Sequence, residues 1–592
     1  MPSKCWKFFN FATMPIRMGL VPYFFDYVCS MHSKNRCLLA FILAIFSIGF
    51  THAQDTYLPL NSYIYYHTDR QDVAESSPQN FSALKPYLRS NIYYTIRHNT
   101  PSGCLNKRAY TQRYFMAENF EFLSKPLLAN DSISGWVAFK KRIYSVPSAM
   151  YSVITKDFFL SVNPIIGFSY GSDSSGPTMQ NTRGIEVRGS IDKKVGFYSA
   201  ITENQWRFPK YYRQQIDSTG IIPGIGFHKN FKGNAHDFFL ARGYLTFSPT
   251  KHIGMQFGHD QNFIGNGYRS LILSDFSNPY LFLKINTKIW RFNYQNLFSQ
   301  LADFSFQSGN GSGMKPKYFV NHYLGIKLLK NLELGFFESV IYDRGDTNKS
   351  GSFDLNYLNP IIFYRAIEHN LNSSDNVIVG LDFKWNIKQK FSFYGQFVLD
   401  EFKKDSLLKR TGWWANKFGV QAGVKYINAF TLKGLDLQAE FNSVRPYTYT
   451  HFKKSQNYVN YNQALAHPFG ANFKELVLVG RYHPFFKLFI EGGYIKVIKG
   501  LDSTSRTKQF GGNILDTYLN RPYESGHKIG QGVKTNYSIA FVSVSYRLAH
   551  NFWLDARANF RHVSSKLLSF ESQSNWYQIG ARFNFNMRNY DF

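Results

Sequence analysis

From about Phe158 to the end of the chain, apolar and polar side chains alternate with a period of two. Val377, Val379, Leu381, Phe383, Trp385 and Ile387 fall on one side of an extended segment, and Gly380, Asp382, Lys384 and Asn386 fall on the other. A strand patterned in this way has one face against an apolar phase and one against a wet phase. Phe391 to Leu399 repeats the pattern, which makes Lys388-Gln389-Lys390 the turn of a hairpin. Phe418 to Tyr426 and Leu435 to Phe441 form the next such pair. Carried along the chain, the same reading predicts eighteen strands, the first centred near Leu160 and the last near Phe583.

The connections between these strands alternate in length. Short ones include Asp192 to Lys194, Pro249 to His252, Leu329 to Asn331, Lys388 to Lys390 and Ala549 to Asn551. Between them lie long ones, among them Glu203 to Asp237, His259 to Tyr280, Ile341 to Asn376, Asn442 to Glu475 and Lys499 to Asn536. A soluble sandwich has no reason to sort its loops in this way. A membrane-spanning antiparallel barrel does, because its periplasmic turns are short and its exterior loops long. Lys384, Lys425, Arg557 and Arg582 share faces with Gln and Asn, so the polar faces predict a hydrated lumen and the apolar faces a lipid-contacting band. Tyr577 to Met587 alternates as the closing strand, and the terminal aromatic Phe592 resembles the ending of bacterial outer-membrane barrels.

Upstream of the barrel the pattern changes. The apolar run Cys37 to Phe50 follows Lys34 and Arg36 and precedes Thr51-His52-Ala53. It is too short to span a bilayer, and it has the basic flank and small-residue cleavage site of a secretory signal peptide. The chain therefore divides into an upstream extension (1–30), a signal peptide (31–53), a periplasmic N-terminal region (54–157) and the barrel (158–592). Within 54–157, Ser82 to Lys85 and Phe115 to Leu123 are predicted as short helices, the first ended by Pro86. Three of the four cysteines, Cys5, Cys29 and Cys37, lie in the removed segment, so Cys104 is left without an intrachain partner.

Composition fits an exported all-β transmembrane barrel. Aromatic residues make up 18% of the 592 residues, which excludes a disordered chain, and a mean hydropathy of −0.30 excludes a bundle of membrane helices. The formal net charge is +29. Residues 1–53 carry five of the 68 Lys and Arg and one of the 39 Asp and Glu, which leaves +25 on the exported chain. These cations are spread over lumen faces and outer loops facing an anionic envelope, a distribution that points to outer-membrane lipid and lipopolysaccharide and not to nucleic acid. Cys and His lack metal-ligand spacing, and no cofactor-binding signature is present; Gly265 and Gly267 do not make a phosphate loop.

Phe257 to Tyr280, with Tyr357-Leu-Asn-Pro-Ile-Ile-Phe-Tyr-Arg365, Tyr394 to Glu401, Gly412-Trp-Trp-Ala-Asn416 and Asn442-Ser-Val-Arg-Pro-Tyr-Thr-Tyr449, resembles the capsule assembly Wzi family. The likeness is to the variant found in Bacteroidetes, which includes a gliding motility protein. What the resemblance implies is an eighteen-stranded outer-membrane barrel with a helical bundle at its periplasmic end and a lectin-like, non-enzymatic hold on capsular polysaccharide. A porin-like channel and an outer-membrane hydrolase are the alternatives.

The candidate glycan-binding residues are Arg445, Tyr447, Tyr449, His451, Lys453 and Lys454 in one long loop, with Trp413 and Trp414 beside Lys409 and Arg410 in another. Aromatic rings stack on the apolar faces of sugars while Lys and Arg pair with acidic groups, so the mixture suits an acidic capsular or surface glycan. An aromatic girdle at the membrane interface would look the same. The polar, Gly-rich segment His259 to Asp275 is a candidate constriction inside the lumen. No nucleophile, base and orienter converge in the pattern. Asp400 and Glu401 are adjacent, so on a regular strand they point to opposite faces.

Overall fold

The computed structural model describes residues 55–75, 81–98, 114–123, 146–303, 314–345, 351–360, 373–502, 508–565, 570–588 and 590–592. The predicted extension and signal peptide, and Cys104, lie outside the described residues. Among the described residues, eighteen antiparallel strands close into one barrel. They are β1 (Phe158–Asp173), β2 (Gly176–Ile191), β3 (Val195–Arg207), β4 (Ala235–Phe247), β5 (Ile253–Asp260) and β6 (Tyr280–Ile289). Next come β7 (Phe292–Asp303), β8 (Lys315–Leu329), β9 (Leu332–Tyr342), β10 (Asn376–Ile387), β11 (Phe391–Glu401) and β12 (Lys417–Tyr426). The ring is completed by β13 (Leu435–Val444), β14 (Phe473–Phe485), β15 (Leu488–Leu501), β16 (Val533–Ala549), β17 (Phe552–Ser565) and β18 (Phe570–Phe583). Every predicted strand centre falls inside one of them.

Two solvents enforce the period. On β10, Leu381 is 40% exposed on the outer wall, whereas Asp382 is 2% exposed and Lys384 and Asn386 are equally buried inside. The short connections expected from the sequence share one end of the barrel, while the two-residue connection of β1 and β2, 174–175, lies at the other; in Asp192-Lys193 and Lys388-Gln389 both central residues have positive φ, the backbone that matches the twist of the strands they join. The ring closes where Ile166 to Ser172 of β1 pairs with Phe583 to Tyr577 of β18. Residues Phe159 to Val162 of β1 pair with a preceding short strand, Tyr151–Ile154, as a hairpin.

The lumen is filled, not simply hydrated. Helices α1 (Ile64–Glu75) and α2 (Arg89–His98) were not legible as helices, and α1 lies at the short-turn end of the lumen. Its Asp69 pairs with Lys425 of β12 at 2.6 Å, Asp72 pairs with Lys384 of β10, and Arg70 pairs with Asp436 of β13 at 2.9 Å. Ser82 to Lys85 is not a helix: Leu84–Lys85 pairs as a short strand with Phe263–Ile264. Residues 114–118 are helical as predicted, and Glu118 there pairs with His550 of a short turn at 2.6 Å.

The segment between β5 and β6 does enter the lumen. Gln396 of β11 clasps it from both sides, accepting a bond from the Leu271 amide at 2.7 Å and donating to the Ile264 carbonyl at 3.1 Å. Glu440 of β13 accepts from the amides of Tyr268 and Arg269 at 2.6 and 3.1 Å. Leu271, Ile272 and Leu273 are buried in the main core with Phe319, Phe337 and Val398.

The ending corrects the prediction. β18 stops at Phe583, and residues 584–588 and 590–592 turn back into the lumen. Tyr590 packs on Trp576, Phe592 lies 5.1 Å from the Tyr212 ring, and the Asp591 carboxylate accepts from the Tyr268 hydroxyl at 2.5 Å. The out-of-phase Phe592 is therefore a lumenal anchor.

Candidate functional site

At the long-loop end, three stretches fold onto one another: 402–416, 445–472 and 508–532. Backbone bonds knit them. The Trp414 amide donates to the Glu524 carbonyl at 3.0 Å, the His527 amide to the Gly412 carbonyl at 2.9 Å and the Tyr447 amide to the Gly511 carbonyl at 3.2 Å. Gly412 has φ +68°, and a Cβ there would meet the His527 amide at 2.9 Å, so only glycine allows this close approach.

The candidate residues separate into two groups. Tyr447 and Tyr449 are 1% exposed and serve the loop itself. Their hydroxyls donate to the carbonyls of Gln509 at 2.6 Å and Leu271 at 2.7 Å. Tyr458, 5.5 Å from Tyr449, donates to the Ile272 carbonyl at 2.8 Å and so ties the outer loop to the lumenal one. His451 is buried, and burial followed by the Lys417 ammonium pushes its ring down to about 3. Arg445 donates through Nε to the Asn416 carbonyl at 2.6 Å and through Nη2 to the Trp413 carbonyl at 3.4 Å. Arg445, Tyr447, Tyr449 and His451, expected on a glycan surface, thus support the loop from within.

Lys453 and Lys454 are exposed, the latter 2.8 Å from Asp516. Trp413 and Trp414 are half-buried, with ring centroids 6.0 Å apart. The Trp414 ring lies 4.5 Å from Tyr518, and the Arg521 guanidinium sits 4.3 Å over it. Tyr523 stacks on His527 at 4.4 Å. The result is an outer platform of two tryptophans, Tyr518, Tyr523 and Arg521, able to offer flat apolar faces beside a cation.

Tyr518, Arg521 and Tyr523 were missed in the sequence. A signal was there: Arg521-Pro522-Tyr523 repeats the tripeptide Arg445-Pro446-Tyr447 in another long loop.

Asp400 and Glu401 depart from the regular-strand expectation. The register of β11 against β12 shifts between Leu399 and Glu401, and this bulge lets both carboxylates reach Lys417 Nζ, at 3.0 and 3.4 Å. Asp400 also accepts from the Tyr449 amide at 2.8 Å, so it is committed to holding the loop.

A cavity of about 430 Å³ remains inside the lumen between residues 59–69 and 85–87, the lumenal loop and residues 584–588 and 591–592. Two of its cations are engaged, Lys425 by Asp69 and Arg269 by Asp591 at 3.4 Å.

Comparison with known proteins places this architecture. No curated protein sequence matches. Among solved structures, the Wzi outer-membrane protein of Escherichia coli, described as a carbohydrate-binding β-barrel involved in group 1 capsule assembly, is 12% identical. The match covers 90% of this chain and all of that one, with a TM-score of 0.52. OprD of Pseudomonas aeruginosa is 11% identical, covering 72% of this chain and 92% of that one at a TM-score of 0.40. The family described as capsule assembly protein Wzi matches residues 168–535. An outer-membrane barrel of eighteen strands whose sequence fits that family over most of its length belongs to the capsule assembly protein Wzi family.

Proposed function

We propose that this chain holds an acidic capsular or surface polysaccharide at the outer face of the outer membrane, non-covalently and without cleaving it. The observation that carries the reading is the platform of Trp413, Trp414, Tyr518, Tyr523 and Arg521 on the long-loop end. Family membership supports it, as does the carbohydrate binding described for the E. coli barrel. The filled lumen speaks against the porin-like alternative. The engagement of Asp400 and Glu401 with Lys417 speaks against the hydrolase, since neither carboxylate is free to act as acid or base.

Single exposed charge pairs are worth only about 0 to 1 kcal/mol, so affinity comes from several contacts along a polymer. Binding of purified capsule to the detergent-solubilised protein should fall with rising salt, and Trp413→Ala with Trp414→Ala should weaken it about tenfold or more. Undiminished binding by that double variant removes the platform from the site; shortened glycan chains after incubation favour the hydrolase. In cells, deletion should release polysaccharide from the surface. The link to gliding rests on the resemblance alone, and unchanged colony spreading in the deletion strain would end it.

A further inference from the structure

The connection between β11 and β12 carries a feature that a glycan site does not need. Its short helix α3 (Lys404–Leu408) and flanking residues stand out from the barrel rim as a knob. Phe402 is 55% exposed, Leu407 43% and Leu408 70%. Lys403, Lys404, Lys409 and Arg410 surround them, all exposed and without a carboxylate partner among the described residues. Elsewhere on the same rim Lys417 pairs with Asp400 and Glu401, and Lys454 with Asp516.

The knob is built, not frayed. The Lys403 amide donates to Asn416 Oδ1 at 2.8 Å, the Lys409 amide to the Asp405 carbonyl at 3.0 Å and the Thr411 amide to the Ser406 carbonyl at 3.2 Å. Its base continues the lipid-facing wall, where the rings of Phe397 on β11 and Phe418 on β12 lie 6.2 Å apart and Val420 faces outward. Three large apolar side chains beside four cations and a single acid, Asp405, directly above a hydrocarbon-facing band, match a surface that is apolar below and anionic at its headgroups.

We propose that residues 402–410 form a binding site for a phosphorylated glycolipid of the outer leaflet. Phe402, Leu407 and Leu408 enter the acyl boundary, and Lys403, Lys404, Lys409 and Arg410 pair with the headgroup phosphates. The site adjoins the platform, with Lys403 Nζ 5.8 Å over the Trp413 ring, but uses other side chains to hold its ligand.

The test uses the full chain in detergent micelles, with bisphosphorylated lipid A as the probe and dephosphorylated lipid A and inorganic phosphate as controls. Replacing the four cations together by Gln should weaken binding of the bisphosphorylated lipid about tenfold or more, because each cation near an anionic surface adds to affinity. Phe402→Ser with Leu407→Ser and Leu408→Ser should weaken it as well, while inorganic phosphate binds neither variant nor the parent appreciably. Both variants should keep the heat-modifiable migration of a folded barrel; if the fourfold variant does not, Lys409→Glu with Arg410→Glu takes its place. Unchanged affinity for bisphosphorylated lipid A overturns the proposal, as does equal affinity for the dephosphorylated lipid. Loss of polysaccharide binding with lipid binding intact would assign the knob to the glycan, and loss of a self-association by the triple Ser variant would assign it to a second copy; either result also overturns it.

Discussion

The two ends of this barrel are closed by different physics. At the short-turn end, α1 is held by charge: Asp69 to Lys425, Asp72 to Lys384, Arg70 to Asp436. At the long-loop end, one buried pair, Lys417 with Asp400, is joined by tyrosines whose rings fill the core and whose hydroxyls donate to backbone carbonyls. The difference follows from what each must close against. The inner mouth is lined by lumen-facing strand ends rich in Lys, Arg and Asp, so a plug there must neutralise them, whereas the outer loops close on one another and can bury neutral groups at lower desolvation cost.

The largest expected effect is at the outer end. Tyr449→Ala removes a fully buried ring and should cost about 4 kcal/mol, read as protease cutting within 445–472 while the strands stay protected. If cutting appears equally at both ends, the two closures are not independent. Lys384→Ala leaves Asp72 without its partner and should cost about 3 kcal/mol, with α1 loosened and bilayer conductance raised. Conductance equal to the parent's would mean that charge does not hold the plug.

Tyr449→Phe keeps the ring and removes one neutral hydrogen bond, so about 1 kcal/mol is expected, with loop cutting barely above the parent's. A loss as large as that of the Ala variant would show that the hydroxyl, not the ring, closes the loop.

Acid gives the finest discrimination. Burial holds His451 outside down to about 3 and His67 inside well below its ordinary value, so both stay neutral in the folded chain. An opened loop takes up a proton below about pH 6.5, and the stabilisation, complete above that value, is lost as pH falls toward the folded value. Glu118 responds in the same sense but at lower pH. Burial would raise it, but the hydrogen bond and charge of His550, with Arg89 and Arg188, hold it down to about 2. Its contribution is complete above about pH 4.3 and lost as pH falls toward 2, at the inner end. His451→Gln should thus flatten the outer-loop response between about pH 6.5 and 4.5 and leave the inner one in place, as followed by site-specific labelling at each end.

Strand after strand was legible in the sequence because lipid and lumen impose opposite requirements on neighbouring residues. Nothing comparable marks α1. In Ile64-Tyr-Tyr-His-Thr-Asp-Arg-Gln-Asp-Val-Ala-Glu75 the polar residues answer separate barrel cations and anions around the helix, so no single apolar stripe forms. The site was half legible. Trp413 and Trp414 lie on the platform, but Tyr447 and Tyr449 are buried, because an aromatic beside a cation looks the same in sequence whether it faces a sugar or fills a loop. Asn457 and Asn460, both buried, were the better guide, since their amides bond backbone groups, Asn457 accepting from the His451 amide and Asn460 from the Ala302 amide.

The hairpin of Tyr151–Ile154 on β1 bears on how such a chain is made. The first strand meets its last partner only across a separation of 405 residues, between Ser172 and Tyr577. Until β18 exists, β1 is an unpaired edge, open to pairing with any other nascent strand. Four of its residues are already occupied by the segment synthesised just before it. The hairpin thus shields the inner part of that edge during the wait and leaves Ile166 to Ser172 for the strand that completes the ring.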